Sequence, residues 1–313
     1  MSTLGRLFNV VYAKTDDERA KAINALKADE ATAGYHELIE TSAVNASYLV
    51  REEVLKKVIE GVDSVRVMRD VFKGMTWNLP TPSYRVIIHK TRLNEVLPVV
   101  PPTSDYPVAK NESYAEVRFD AKKYGEIAPI EEELIKDSMF DIVEMRLREE
   151  GKKAENTLNR KALDTLLSQA LATKGYNSSK PIDSIADAVF ALKKAGYNAD
   201  SLLMTVEMER DIFKDPHFTY EYSGETGHFR TQELGGKILG LKPYLLTVTD
   251  SNGSWGGTIK GVVFDSSRVL AIGMYNDVTL EKFNDPRNDL MNLKVNMRFD
   301  VRGIFKAAVN LSS

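Results

Sequence analysis

The stretch from Glu131 to Leu171, EEELIKDSMFDIVEMRLREEGKKAENTLNRKALDTLLSQAL, contains no proline and one glycine, Gly151. Ser138 followed at the third position by Asp141 has the form of a capping box, which offers a hydroxyl and a carboxylate to the unpaired N–H groups of a first helical turn. Behind it Met139, Val143, Leu147, Ala154, Leu158, Ala162, Leu166 and Ala170 recur at steps of three, four or seven, the spacing of a narrow helical stripe. The other faces are charged, with Glu144 four residues before Arg148 and Glu149 four before Lys153, the orientation that supports an exposed helix. A helix over 138–171 would be a rod of roughly 50 Å, far longer than an ordinary globular helix. A narrow stripe on so long a rod predicts a strut laid across a surface and wetted on most sides. Gly151 costs about 1 kcal/mol in a helix interior and marks where the strut is expected to bend.

A strut must connect something. The chain has 313 residues and 43% hydrophobic content, enough for one or two domains with real cores. Its net charge of -3 gives no overall electrostatic case for nucleic acid or an anionic membrane. The absence of cysteine removes disulfides, zinc-thiolate sites and cysteine nucleophiles together. No run reaches about 18 apolar residues, and the N-terminal region lacks a secretory hydrophobic core and cleavage site, so a cytoplasmic product is expected.

Residues 1–34 read as an extended arm with one weak helical piece at Asp16 to Lys27. Residues 50–60 predict a helix with Val50, Val54, Leu55, Val58 and Ile59 on one face and Gly61 capping its end. Between Trp77 and Tyr114 fall Pro80, Pro82, Pro98, Pro101, Pro102 and Pro107, flanking candidate strands at Ser83 to Lys90 and Tyr114 to Ala121. Prolines this dense exclude helix and central strand alike, leaving a long two-stranded arm used outside the compact body. After the strut, Pro181 starts a short helix with Ile185, Ala188, Val189 and Leu192 inward, ending at Lys193, Lys194 and Gly196. Ser201 to Val206 reads as a buried strand. Residues 197–275 then alternate apolar runs, at Tyr244 to Val248, Val262 to Asp265 and Val269 to Ile272, with turn residues: a compact α+β domain. Near the C-terminus Leu293, Val295, Met297, Phe299 and Val301 alternate with Lys294, Asn296, Arg298, Asp300 and Arg302, one face buried and the other wet. Asp277 to Phe283 supplies an antiparallel partner, and the stripe of the long helix a surface to pack on.

No catalytic constellation emerges. His217, Glu221, Glu225 and His228 fall in a polar, glycine-containing loop without helical ligand spacing, which reads as a solvated loop before it reads as a metal site. Gly235 and Gly236, or Gly256 and Gly257, form no phosphate-binding pattern, and Ser266 and Ser267 lack a nucleophile elbow. Glu131, Glu132 and Glu133 are more simply dipole partners of the following helix than an acid/base group. Asp285, Arg287 and Asp289 form a charged loop that fits an ion, a symmetry mate or plain solvent. No catalytic residue, cofactor or metal is assigned.

The order of arm, strand-rich extension, strut, α+β domain and returning long strands resembles the major capsid proteins of tailed bacteriophages and their archaeal relatives, the Hong Kong 97-like fold. Three passages resemble the family locally: Lys122 to Glu150, Ala191 to Thr205 and Val295 to Leu311. The resemblance implies an α+β fold with an N-terminal arm (1–49), an extended β-hairpin loop (77–121), an axial domain (181–275) and a peripheral domain (50–76, 122–180 and 276–313) that carries the spine helix, about 138–171. It implies an architectural function: pentamers and hexamers closing an icosahedral shell around double-stranded DNA, with a portal and a separate scaffold protein, no membrane, and assembly in host cytoplasm into a virion capsid. Arg85, Lys90, Arg92, Lys110, Glu144, Arg148, Asp285, Arg287 and Asp289 are the expected subunit-interface residues. A bend at Gly151 would then vary among subunits. The family's type member cross-links a lysine to a neighbour's asparagine; Lys110 is suitably placed, but no motif selects an asparagine, and that chemistry is not carried over. The alternatives are an encapsulin-like compartment shell with a cargo enzyme, and a metabolic α+β enzyme.

Overall fold

The computed structural model describes residues 43–89, 114–131, 140–215, 237–248, 255, 257–285 and 290–313. The expectations for the N-terminal arm up to residue 42, the central prolines, the Ser138 cap, the 217–228 loop and the 286–289 loop lie outside them. The chain divides into two units. One holds the segment ending at Arg66 with Lys123–Thr157 and Asn276–Arg298, and the other Val67–Lys122, Leu158–Tyr275 and Phe299–Ser313.

In the first unit, helix α1 (Ala43–Ser64) is longer than its sequence pattern predicts, and Gly61 lies inside it rather than at its end. Val54, Val58 and Val62 are buried at successive four-residue steps, whereas Ile59 is 44% exposed, so the apolar face is narrower than the sequence suggests. Helix α3 (Phe140–Ser168), with 29 residues, is the strut; about 44 Å long, it contributes its residues up to Thr157 here. Strands β4 (Lys122–Glu131), β9 (Leu270–Asp285) and β10 (Leu290–Gly303) run through this unit, with β10 between the other two. Thr279 Oγ1 donates to the Asn296 carbonyl, and Glu281 pairs with Lys294. One strand ascends as the other descends, so β9 and β10 are antiparallel, as the alternating sequence predicts.

The second unit contains a five-stranded sheet in the order β5-β11-β8-β6-β7. Its strands are β5 (Ala170–Gly175), β6 (Ser201–Met204), β7 (Lys242–Leu245), β8 (Ile259–Phe264) and β11 (Ala308–Ser312). β11 is parallel to β5 and antiparallel to β8, and β6 is antiparallel to β8 and parallel to β7. Helix α4 (Pro181–Lys194) buries Ile185, Ala188, Val189 and Leu192 as predicted, against β11, β5 and β8. Gly196 beyond its end holds φ +83, the left-handed conformation in which a glycine carries no Cβ penalty. The strut ends at Ser168, not Leu171. The Gln169 N–H closes the last turn on Thr165 and Leu166, and the backbone of Ala170 is taken up by β11. Tertiary pairing there outweighs the helical preference of Ala170 and Leu171. The predicted strand over 201–206 is also too long: Thr205 Oγ1 accepts the Met208 N–H and caps helix α5 (Val206–Lys214), which the sequence reading missed. Met208 and Ile212 of α5 join Leu202, Met204, Val263, Val309 and Leu311 in the core of this unit.

Ser266 and Ser267 have a structural explanation. Asp200 accepts from the Ser266 N–H and hydroxyl at 2.9 and 2.7 Å, and Asp265 accepts from the Ser267 N–H and hydroxyl at 3.1 and 2.6 Å. The four contacts build the turn that leads from β8 to β9. Short elements α2 (Met68–Val71) and β1 (Thr76–Asn78) complete the unit, with β1 parallel to the start of β9. Its last element is a hairpin of β2 (Ser83–His89) and β3 (Tyr114–Asp120), a two-stranded antiparallel sheet where the arm was expected. No helix of the described residues is long and apolar enough to cross a membrane.

Candidate functional site

Two constructions carry what the sequence marked as functional. The first is the crossing of α1 and α3. A Cβ added at Gly61 would fall on the Arg148 carbonyl oxygen, and one added at Gly151 on the Val58 carbonyl oxygen. The two helices therefore touch backbone to backbone, and the glycines are there because nothing larger fits. Gly151 is a packing residue at a close approach; the bend it was expected to mark is not what demands a glycine.

Beside this contact the charged side chains interlock. Glu144 lies 3.4 Å from Lys57 and 3.7 Å from Arg148, and Arg148 Nε donates to Glu60 at 3.1 Å. Burial alone would raise the Glu60 carboxyl, but the Arg148 hydrogen bond and Lys57 outweigh it and hold it below the usual range. Glu144 and Arg148 thus do form the helical pair that their spacing predicts, and both are engaged with α1 inside the chain. The second predicted pair is replaced. Lys153 bonds Glu150 at 2.7 Å and Glu126 of β4 at 3.6 Å. The Glu150 hydrogen bond, more than burial opposes, raises the ammonium pKa.

The second construction is the root of the β2–β3 hairpin. Phe119 is fully buried, edge-on to Trp77 at 5.6 Å, and its ring occupies the place of a Cβ that Gly273 lacks. Leu79 and Ala271 close the same cluster. On the polar side, the Asp120 N–H donates to Asp300 Oδ2 at 2.9 Å, and Arg302 Nε donates to the same oxygen at 2.7 Å. The Asp120 carboxylate accepts from Ser83 Oγ at 2.9 Å and lies 3.4 and 3.8 Å from Arg118 and Arg302. The Ser83 hydrogen bond first, and the two guanidinium groups after a small opposing desolvation, hold it below the usual carboxylate range.

Away from the root the hairpin is open. Arg85 is exposed and pairs across the strands with Glu116 at 3.2 Å, and Ile87 is 71% exposed. Lys90, Arg92, Lys110, Arg287 and Asp289 lie outside the described residues; Asp285 ends β9. The structure therefore brings Glu144 and Arg148 together, and pairs Arg85 with Glu116 on the hairpin. The sequence reading missed Lys57, Glu60, Asp120, Asp300 and Arg302. It placed Asp300 on a wet face, yet Asp300 and Asn296 are 8% and 6% exposed. An acidic residue two positions before an arginine in a strand, with a second acid ending an arm strand, was the available signal.

Among the described residues no group of three or more histidine or acidic side chains could hold a metal ion. The sequence model described as phage capsid protein matches residues 114–310. No curated protein matches the sequence. Among solved structures, the virus-like particle from Pyrococcus furiosus is similar with a TM-score of 0.60 at 17% identity, covering 83% of this chain and 98% of that one. A Mycobacterium phage Cain structure gives a TM-score of 0.54 at 18% identity, covering 79% and 90%. The capsid of Cyanophage P-SCSP1u gives 0.58 at 10% identity, covering 76% and 85%.

Proposed function

We propose, from the premise that this chain belongs to the phage capsid protein family, that it closes an icosahedral shell around double-stranded viral DNA. The coarser part is direct: the fold is Hong Kong 97-like, and the protein is a structural component of a multi-subunit virion capsid, not an enzyme. The observation that carries the proposal is the family match over residues 114–310, which takes in the strut, the five-stranded sheet and the long C-terminal strand together.

In this reading 1–49 is the N-terminal arm and 77–121 the extended loop. The peripheral domain is 50–76, 122–180 and 276–313, and the axial domain 181–275. Pentamers and hexamers build the shell, with separate scaffold and portal proteins, in the host cytoplasm. Arg85, Lys90, Arg92, Lys110, Asp285, Arg287 and Asp289 contribute charge to subunit contacts. Arg148, whose side chain stays 42% exposed, presents a second face to a neighbour while Glu144 fixes it from below. The exposed Ile87 and the exposed Tyr84 support an arm that is covered only by another subunit.

The test is the content of purified particles. Intact particles from the native source, treated with nuclease and then opened, are expected to release protected double-stranded DNA. A protein cargo in place of DNA would overturn the viral reading in favour of a compartment shell.

A further inference from the structure

We propose that Asp300 is a positioning residue: it sets the direction in which the β2–β3 hairpin leaves the body. The hairpin is a two-stranded sheet, so its ladder fixes β2 to β3 but not the pair to the rest of the unit. On its apolar side it is held by the Phe119 ring seated over Gly273. A ring in a socket restrains distance strongly and rotation weakly, because dispersion contacts have no preferred direction. The flanking strands β1 and β4 tether the hairpin's two ends in the four-stranded sheet, and the corner where β3 passes β10 still needs a directional tie to define an exit angle. Asp300 provides it.

Its carboxylate is nearly enclosed, and its bonds are assigned. Oδ1 accepts the Val301 N–H at 3.0 Å, and Oδ2 accepts Arg302 Nε–H at 2.7 Å and the Asp120 N–H at 2.9 Å. Two of the three donors belong to β10 itself, and the third is the backbone of the last β3 residue. The Asp120 N–H points away from the β2–β3 ladder and toward the body. Swinging the hairpin about Phe119 would withdraw that donor and leave an enclosed carboxylate short of one bond, which a buried charge does not tolerate cheaply. The other strand is tied to the same point, since Ser83 Oγ donates to the Asp120 carboxylate and the Ala121 N–H donates to Pro82 O at 2.7 Å. Both strands thus leave from one fixed corner.

The second readout below rests on the shell reading; the first does not. Hydrogen exchange on the full chain measures the Asp120 amide directly. Asp300→Ala is expected to speed its exchange by roughly tenfold or more, while the amides of β11 keep their protection. Asp300→Asn retains one oxygen acceptor but loses the charge toward Arg302, and is expected to fall between the two. In electron micrographs the Ala variant is expected to give fewer closed shells than the parent, from subunits that are otherwise folded. An Asp120 amide indifferent to Asp300→Ala would overturn the proposal, as would equal acceleration throughout β11 or a wild-type yield of closed shells. Failure of the unmodified chain to form any shell would count against the shell reading instead, and the Asp120 amide would still decide the latch.

Discussion

Gly61 and Gly151 face each other's helices in a reciprocal pair: each stands where its missing Cβ would strike the carbonyl oxygen of a residue on the opposite helix, Arg148 for Gly61 and Val58 for Gly151. The pairing of 58 with 151 and 61 with 148 makes the crossing antiparallel. Close approach of this kind depends on the absence of side chains. Two effects then compete in a Gly151→Ala variant. Helix propensity gains about 1 kcal/mol, and forcing a methyl into a backbone contact costs about 1–3 kcal/mol or more. The second wins, so denaturant unfolding of Gly151→Ala should show a net loss of stability. A gain of about 1 kcal/mol, which a merely flexible or bending glycine would give, would contradict the crossing.

The ion network beside the crossing makes a signed pH prediction. Glu60 is held below its ordinary pKa of 4.5, so it contributes stability above that value and loses it as pH falls through its lower folded value. The side chain is 39% exposed, which limits the effect to well under about 1 kcal/mol. Acid unfolding of Glu60→Gln should therefore begin from slightly lower stability at neutral pH and fall less steeply below pH 4.5 than that of the parent, a difference that added salt should shrink. Parallel acid curves for the two proteins would show that the network contributes nothing.

At the hairpin root, Phe119→Ala removes the ring that packs over Gly273 beside Leu79. Buried Phe to Ala changes typically cost about 3–5 kcal/mol. Calorimetric unfolding should register that loss. A change on the scale of a surface substitution, within about 0.5 kcal/mol, would mean that the root is not packed as described.

Thr205 is a smaller and independent check. Its hydroxyl accepts the Met208 N–H at 3.3 Å at the start of α5. Thr205→Ala should lower stability by about 1 kcal/mol, and Thr205→Ser should retain most of the cap. Equal losses for the two would remove the capping role.

The predictions also mark where the sequence was legible. Apolar faces that depend on one element's own periodicity transferred well: the inward side of α4 and the burial of Leu293, Val295, Met297, Phe299 and Val301; the two-stranded arm over Ser83–His89 and Tyr114–Asp120 also formed. Features decided by a partner far along the chain did not. Ala170 has the composition of a helix end, but β11 recruits it into a sheet. Asp300 alternates as if wet and is enclosed because β3 ends beside it. Gly61 and Gly151 look like a cap and a bend, and only the other helix reveals why each must lack a side chain. Val206 extends an apolar run, and the strand stops two residues earlier because Thr205 turns its hydroxyl to a helix start. At the candidate site, the spacing of Glu144 and Arg148 was readable, while Lys57 and Glu60, which complete the network, came from a helix that the sequence read as a separate element.

The central claim is that this chain is a shell subunit, and its most direct test is the size and form of what the purified protein assembles into. Analytical sedimentation with negative-stain imaging should find capsomers of five or six chains and closed, icosahedral particles of megadalton mass. A well-folded protein that remains a single chain under every assembly condition, with no capsomers and no particles, would contradict it.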